Sequence, residues 1–576
     1  MNQKLENILN VSLDATEDEL RKADSLSTGY NWRDNTWEII VKYSGSLESI
    51  RNRYNVYIKE LLNYYAIIVA DKATIELISQ EDVIDYVEKP KSLYYQIERT
   101  KTAACVGSVR ADGNILSGKG VIVGVIDTGI DIFDNAFRNS DGTTRILNIY
   151  DQTTGEKYDK QSIDEYIRLN EDLSGGTFSY DNAPGVDNIM HGTDVSYIAA
   201  GSLGVAYEAD IIAVKMGYSI NNQFPRTTSL MDAIDYIIRK AIEYRKPVAV
   251  NISYGCNYGA HNGNMLLESF IDDISKSYRC VICVGSGNEA DKAIHFGGII
   301  NTGQVQTAYL SVGEYQSAID IQIWKNYWDT IDVMLINPRG EQIGIITEGR
   351  INRYETYNTE IITLLGEPSP YNIYQEIYIN LIPKTDYILS GIWQIVLMAG
   401  SIRAGEYNIW LPSSQALGYA TAFNNPTADG TITIPATARN CIAVGAYNAY
   451  TNSYAAFSGR GFDNSIRNVN AGVKPDITAP GVDISIARQR GNDITYRNVT
   501  GTSYAVPVVT GAAALLMQWG IVMGNDRFMY GEKLKAALID GSKPVGLVGI
   551  TRNDNQPDPR TGWGAVCLKN TLNKIL

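Results

Sequence analysis

The sequence is poor in several residue types, and each shortage excludes something. Six cysteines (Cys105, Cys256, Cys280, Cys283, Cys441 and Cys567) are spread over 576 positions, too thinly for a disulfide framework. They suit reduced thiols. Basic charge is also scarce, since 50 Lys and Arg face 64 Asp and Glu for a net charge of −14. A surface of that sign repels phosphate, so no nucleic-acid partner is expected. No run of about 18 apolar residues suggests a bilayer span, and MNQKLENILNVSLDATEDELRK carries acids where a secretory leader needs an apolar stretch. Synthesis in the cytoplasm is the expectation. The 44% apolar content can offset the entropy of ordering, which excludes general disorder.

A chain this long exceeds the usual size of one domain. TWEIIVKYS at 36–44 alternates like a strand, LESIRNRYNVYI has helical spacing, YYAIIVAD reads as a strand, KATIELISQ as a helix and VIDYVEK as a strand. That is a compact α+β unit over 1–96, followed by a polar connection, 97–118. From Val121 the pattern changes to buried apolar strands alternating with helices: VIVGVID, ADIIAVKMG, MDAIDYIIRKAIEY, VAVNISYG and CVICVGSGN. This predicts an α/β fold, a parallel sheet with helices on both faces. Between 301 and 425 short alternating strands such as AIDIQIW, TIDVMLINP and WQIVLMAG predict an inserted β-sandwich. The α/β pattern resumes over 426–576 and includes the helix GTSYAVPVVTGAAALLMQW.

Several residues at element ends could carry chemistry. Asp127 ends an apolar strand, where open parallel sheets gather functional groups, although a lone Asp there also serves as a turn cap. His191, one of only three histidines, precedes a small-residue helix in HGTDVSYIAAG. Ser503 opens the helix of TGTSYAVP, a position where serine is commonly an N-cap. Asn288 follows a strand in CVGSGNEA. Each signal alone is weak; their combination, in the order Asp, His, Ser, is not. Cys280 and Cys283 spell C-x-x-C on a strand, where residues three apart face opposite sides, so they read as core thiols and not as a metal or redox site. His261 and His295 read as loop residues, and Cys256 as packing beside the cleft.

With DTGID around Asp127, HGTDV around His191, NISYG at 251–255, SGNEA around Asn288, KPDITAPG at 474–481 and GTSYAVP around Ser503, the sequence resembles a subtilisin-type serine protease. The resemblance implies a catalytic triad of Asp127, His191 and Ser503 and an oxyanion hole using Asn288. It also implies a substrate cleft with Ser253, Tyr254 and Gly255 as one wall and Gly285–Gly287 as its floor. No cofactor is implied. The α+β unit resembles a subtilisin propeptide of ferredoxin-like form. Alignment through VIDYVEKPKSLYYQ, anchored on Tyr86, Val87 and Glu88, puts self-cleavage between Gln96 and Ile97. Leu93, Tyr94, Tyr95 and Gln96 would then lie in the cleft.

Departures from the family pattern are informative. Asp194 stands where HGTHV has its second histidine, and Tyr504 replaces the methionine of GTSMA. The connection SYIAAGSLGVAYEAD is too short for the loop that binds calcium in secreted subtilisins, so no metal is expected there. A subtilisin with a propeptide and an inserted jelly-roll-like sandwich resembles the clostridial Csp germination proteases. That resemblance implies a spore-packaged enzyme whose protein substrate is the zymogen of a cortex-lytic hydrolase, with its own propeptide as a further partner. A signal-binding pseudoprotease and a general degradative intracellular subtilisin are the alternatives.

Overall fold

The computed structural model describes residues 2–92, 94–95, 116–171, 182–217, 224–346, 349–462, 473–490, 493–546 and 557–575. The predicted cleavage pair Gln96–Ile97, Leu93 and most of the 97–118 connection lie outside these residues.

The protease unit is built on a nine-stranded sheet whose central strand is Ile122–Asp127. All six of its residues are buried, as expected of a β-branched run covered on both faces. On one side it pairs in parallel with Asp210–Lys215, which pairs with Ile146–Asp151. On the other lie Val248–Ile252, Cys280–Gly285, Ile442–Asn448 and Ile477–Pro480, again parallel. The chain therefore fills one half of the sheet, returns past its starting strand and fills the other. Functional groups collect at strand C-termini near such a reversal, and Asp127 is there. Val123 and Val125 pack under the helices His191–Ala200 and Thr502–Met517, whereas Ile122 and Ile126 pack under Thr227–Tyr244 and Leu266–Ser277. Cys283 joins the first core and Cys280 the second, on opposite faces of one strand.

Every residue of the helix Thr502–Met517 is buried. With its continuation to Val522 it is long and apolar enough to cross a membrane, which corrects the sequence reading that no such run exists. Here 83% of its most apolar window is buried inside the protease, the behaviour of a core helix.

The β-sandwich consists of a six-stranded and a five-stranded sheet, antiparallel throughout. Its first strand is His295–Ile299, paired with Glu406–Trp410, so the sandwich starts earlier than the pattern change at 301 suggests. His295 is thus a strand residue and not a loop residue. It and His261 are both buried and stack on the Trp410 indole at 4.1 Å (His261) and 4.9 Å (His295).

The N-terminal unit is a five-stranded antiparallel sheet with helices. The predicted helix through NVYI ends at Tyr54 instead; Asn55 takes the left-handed conformation (φ 43°) and Tyr57–Glu60 forms an edge strand. Three helices before residue 36, Asn7–Asp14, Glu17–Lys22 and the single turn Asp24–Ser27, were not anticipated, although Thr16 and Glu19 form a capping box that the sequence spells out. One sheet face meets the protease helices, with Tyr65 edge-on to Phe270 at 5.2 Å. The opposite core is completed by sandwich residues Ile362, Leu364, Tyr378 and Ile382. The unit is wedged between protease and sandwich.

Candidate active site

Asp127 and His191 are brought together by a close approach that only glycine permits. A Cβ on Gly192 would lie 2.3 Å from the Gly129 carbonyl oxygen and 2.9 Å from the Asp127 Cβ, so the His191 helix can seat against the Asp127 turn only with glycine there. Asp187 clamps the same junction. Its Oδ1 accepts from the Thr128 hydroxyl at 2.7 Å and the Met190 N–H at 2.7 Å, and its Oδ2 accepts from the N–H and hydroxyl of Thr193, both at 2.8 Å. The Thr128 hydroxyl oxygen accepts the Gly192 N–H at 2.9 Å.

Within this frame the His191 Nδ1 lies 2.6 Å from Asp127 Oδ1. A carboxylate only accepts, so Nδ1 carries the proton and Nε2 is the free base in the neutral ring. Nε2 is buried and has no hydrogen-bond partner. Burial opposes the charged imidazolium, but the Asp127 carboxylate and its hydrogen bond outweigh that, with Asp194 and Asp187 adding to them, and the His191 pKa is raised above its ordinary value.

Ser503 lies in the first turn of Thr502–Met517, and the next residue, Tyr504, places its ring 5.3 Å from the imidazole. Pro507 stands four residues on and has no N–H to give the Ser503 carbonyl. The Ser253 hydroxyl reaches that carbonyl at 3.4 Å. Ser253 is itself held by the Asn251 amide at 3.0 Å, and Asn251 Oδ1 accepts from the Thr510 hydroxyl at 3.0 Å. Asn288 Oδ1 accepts from the Thr502 N–H at 3.0 Å and its hydroxyl at 3.1 Å, which leaves its buried Nδ2 as a donor without a partner.

Gly285 ends the strand beside Asn288. Gly287 has φ +94°, and a Cβ there would sit 2.5 Å from Thr433 Cγ2, so the floor of the cleft needs glycine. Along the wall, Tyr254 and Gly255 pair antiparallel with Tyr95 and Tyr94 of the N-terminal unit. Upstream, Ser92 bridges Arg226, the Lys91 N–H donates to the Thr227 hydroxyl at 2.7 Å, and the Thr227 N–H donates to the Lys91 carbonyl at 2.6 Å. The tail of the N-terminal unit thus lies in the cleft as an added strand.

Sequence reasoning missed the braces. Glu289 is buried, its pKa pushed up to about 7 by burial, and it accepts from the Ser414 N–H (3.2 Å) and hydroxyl (3.3 Å), tying the Asn288 loop to the end of the sandwich. Asp131, within the DTGID motif, is buried against Arg490 at 2.5 Å. Cys256 is buried in the core and its thiol is pushed up to about 12. Among the described residues no three His, Cys, Asp or Glu side chains are grouped to hold a metal. In the connection from Gly201 to Asp210 the carboxylates are Glu208 and Asp210, and Asp210 already pairs with Lys246 at 2.6 Å, so that connection does not fit a calcium cage.

Comparison with known proteins identifies the family. The Csp protease B prodomain family matches residues 3–91, and the Subtilase family matches 118–368 and 404–564. The solved CspB protease of Clostridium perfringens is 34% identical with a TM-score of 0.74, over 82% of this chain and 96% of that one. The subtilase-type proteinase RRT12 of Saccharomyces cerevisiae is 33% identical over 128 residues, which is 22% of this chain and 23% of that protein. Subtilisin-like protease 10 of Arthroderma otae is 34% identical over 120 residues, 21% and 27% respectively. This chain therefore spans about a quarter of the length of those two curated relatives. On the family match over most of its length, the chain belongs to the subtilases, a family of subtilisin-like serine proteases.

Proposed function

We propose that the chain is a zymogen that cleaves itself between Gln96 and Ile97 and then acts as a serine endopeptidase on one protein substrate class. In this reading His191 Nε2 takes the Ser503 proton as the hydroxyl attacks a peptide carbonyl, and returns it to the leaving amine. Asp127 keeps the proton on Nδ1 and stabilises the imidazolium. Asn288 Nδ2 and the N–H groups at the start of the Ser503 helix donate to the oxyanion.

The observation that carries the proposal is the strand pairing of Tyr94–Tyr95 with Tyr254–Gly255. The described pairing reaches Tyr254, the neighbour of Ser253, whose hydroxyl touches the Ser503 carbonyl, so the tail runs along the wall toward the nucleophile. That direction supports the assignment of the cut shortly after Tyr95. Mass spectrometry of purified protein tests this: the wild-type chain should give fragments of 1–96 and 97–576, and Ser503→Ala a single uncut chain. Equal cutting of both would remove the proposal.

By its likeness to the Csp proteases, we assign the physiological substrate as a cortex-lytic hydrolase zymogen, with packaging in the spore. Cleavage of such a zymogen at one site, with casein left largely intact, supports this. Broad casein cleavage would favour a degradative enzyme, and loss of fluorophosphonate labelling in a folded wild-type chain a pseudoprotease.

A further inference from the structure

The two places where this chain departs from the subtilisin motifs, Asp194 and Tyr504, meet at one arginine. Asp194 lies in the first turn of the helix His191–Ala200 and is fully buried. Tyr504 follows the nucleophile and is also buried. Facing both is a two-stranded hairpin, Ile484–Arg490 paired with Asp493–Val499. Arg488 Nε donates to Asp194 Oδ1 at 3.0 Å, and its Nη2 donates to the Met190 carbonyl at 2.9 Å. Arg497 Nη2 lies 2.6 Å from Asp194 Oδ2, and the same guanidinium interacts with the Tyr504 hydroxyl, where its charge opposes the upward push of burial.

The arrangement does something a histidine and a methionine at these positions could not do. A buried carboxylate needs a cation, and Asp194 takes two, from opposite strands of one hairpin. Arg488 grips the first turn of the His191 helix at a point of backbone strain, because Met190 has φ +67°, unusual for a non-glycine residue. Arg497 then spans from that helix to the residue beside Ser503, and the Tyr504 ring lies against the imidazole.

We infer that Arg497, bridging Asp194 and Tyr504, is a positioning residue that fixes the His191 helix against the Ser503 helix and sets the charge felt by the imidazole. This rests on the triad reading above. The charged groups facing His191 are Asp127, Asp187 and Asp194, with Arg488 and Arg497 compensating the last. Removing Arg497 leaves more of the Asp194 charge to favour the imidazolium and frees the Tyr504 hydroxyl.

The test is the rate at which a small fluorophosphonate labels Ser503 in the full processed chain, followed against pH, with the melting temperature as a folding control. Arg497→Met is expected to slow labelling about tenfold or more, since small misplacements of reacting groups are costly, and to move the acid midpoint to higher pH. Arg497→Lys should recover part of the rate. Tyr504→Phe keeps the ring but loses the hydroxyl; it should slow labelling on its own and add nothing to Arg497→Met. If Arg497→Met melts lower yet labels at the wild-type rate with an unchanged midpoint, the arginine is merely structural and the inference is overturned. If Arg497→Met does not fold, Tyr504→Phe and Arg497→Lys decide: wild-type rates and midpoints in both overturn the inference, and slowed labelling with a raised midpoint in Arg497→Lys supports it. Failure of the triad reading is distinguishable, because then the wild-type chain itself would neither label nor be cut.

Discussion

Asn288 accepts the backbone N–H of Thr502 through its Oδ1 at 3.0 Å, and that single bond fixes which way the amide faces. An N–H needs an oxygen, so the NH₂ end must point away from the Ser503 helix, where it is buried without a partner. A donor left in this state is stabilised by whatever negative charge develops beside it.

Replacing Asn288 by Leu keeps the volume and removes the donor. Hydrolysis of a peptide anilide ending in Leu-Tyr-Tyr-Gln should then fall in kcat by about 10²–10³-fold, the value measured for such a donor in subtilisin and carried over here. KM should change little, because the ground-state carbonyl gains little from the donor. A fall in KM-limited rate alone would place the oxyanion elsewhere.

The raised His191 pKa sets the acid side of the activity profile. Since Nε2 must be free to accept the serine proton, activity should rise with pH through the His191 midpoint, and that midpoint should lie above the ordinary imidazole value of 6.5. Asp187→Asn removes one of the nearby negative charges and should lower the midpoint. A pH–kcat/KM profile of both proteins measures it; a midpoint that stays put would mean that Asp187 acts only through its hydrogen bonds.

Ser253 supplies a hydrogen bond that Pro507 denies the Ser503 carbonyl. At 3.4 Å the bond is long, and its loss in Ser253→Ala should cost about 0.5–1.5 kcal/mol. The expected result is a turnover drop of no more than about tenfold with self-cleavage retained, read from the ratio of cut to uncut chain early in expression. A complete block would show that Ser253 does more than brace the helix.

Much of this site is legible in the sequence because its members sit in short motifs whose chemistry is local. Gly192 directly follows His191 and Pro507 lies one helical turn after Ser503, so each acts on a near neighbour in the chain. The unbroken apolar run of VIVGVID likewise announces a strand covered on both faces. What could not be read depends on chain segments far apart. Arg488 and Arg497 sit in a polar hairpin about 300 positions from Asp194, and no spacing rule connects them. Glu289 looked like part of the SGNEA motif, but its partner Ser414 is at the far end of the sandwich. The sandwich edge at His295 was hidden because HFGGI is too rich in glycine to alternate. The helix Thr502–Val522 escaped notice as an apolar segment of spanning length because Thr, Ser, Pro, Gly and Gln interrupt its apolar residues; it lies in the protease core.

The junction between the N-terminal unit and the protease should respond to pH. Lys91 lies 2.6 Å from Glu6 and 2.5 Å from Glu88, with Lys91 and Glu88 buried and Glu6 partly so, and Glu88 Oε2 also accepts the Leu266 N–H at the start of the helix Leu266–Ser277. Two carboxylates thus share one ammonium. Burial pushes Glu6 up to about 8, eased by Lys91 and worsened by Glu88. Against the pull of burial, Glu6 and Glu88 hold Lys91 above its ordinary value, so it stays charged throughout the neutral range. Because the Glu6 pKa is higher in the folded chain than in the unfolded one, its contribution to stability is complete below about 4.5, falls as pH rises, and is lost above about 8. Glu376, pushed up to about 7 by burial, adds to the same trend from the sandwich side, where it accepts from the Asn7 amide at 3.1 Å. The melting temperature of the full Ser503→Ala chain should therefore fall between pH 5 and pH 8.5. In the Glu6→Gln background that slope should flatten, because the side chain can no longer lose a proton. Equal slopes in the two proteins would place the pH-sensitive group somewhere other than this junction.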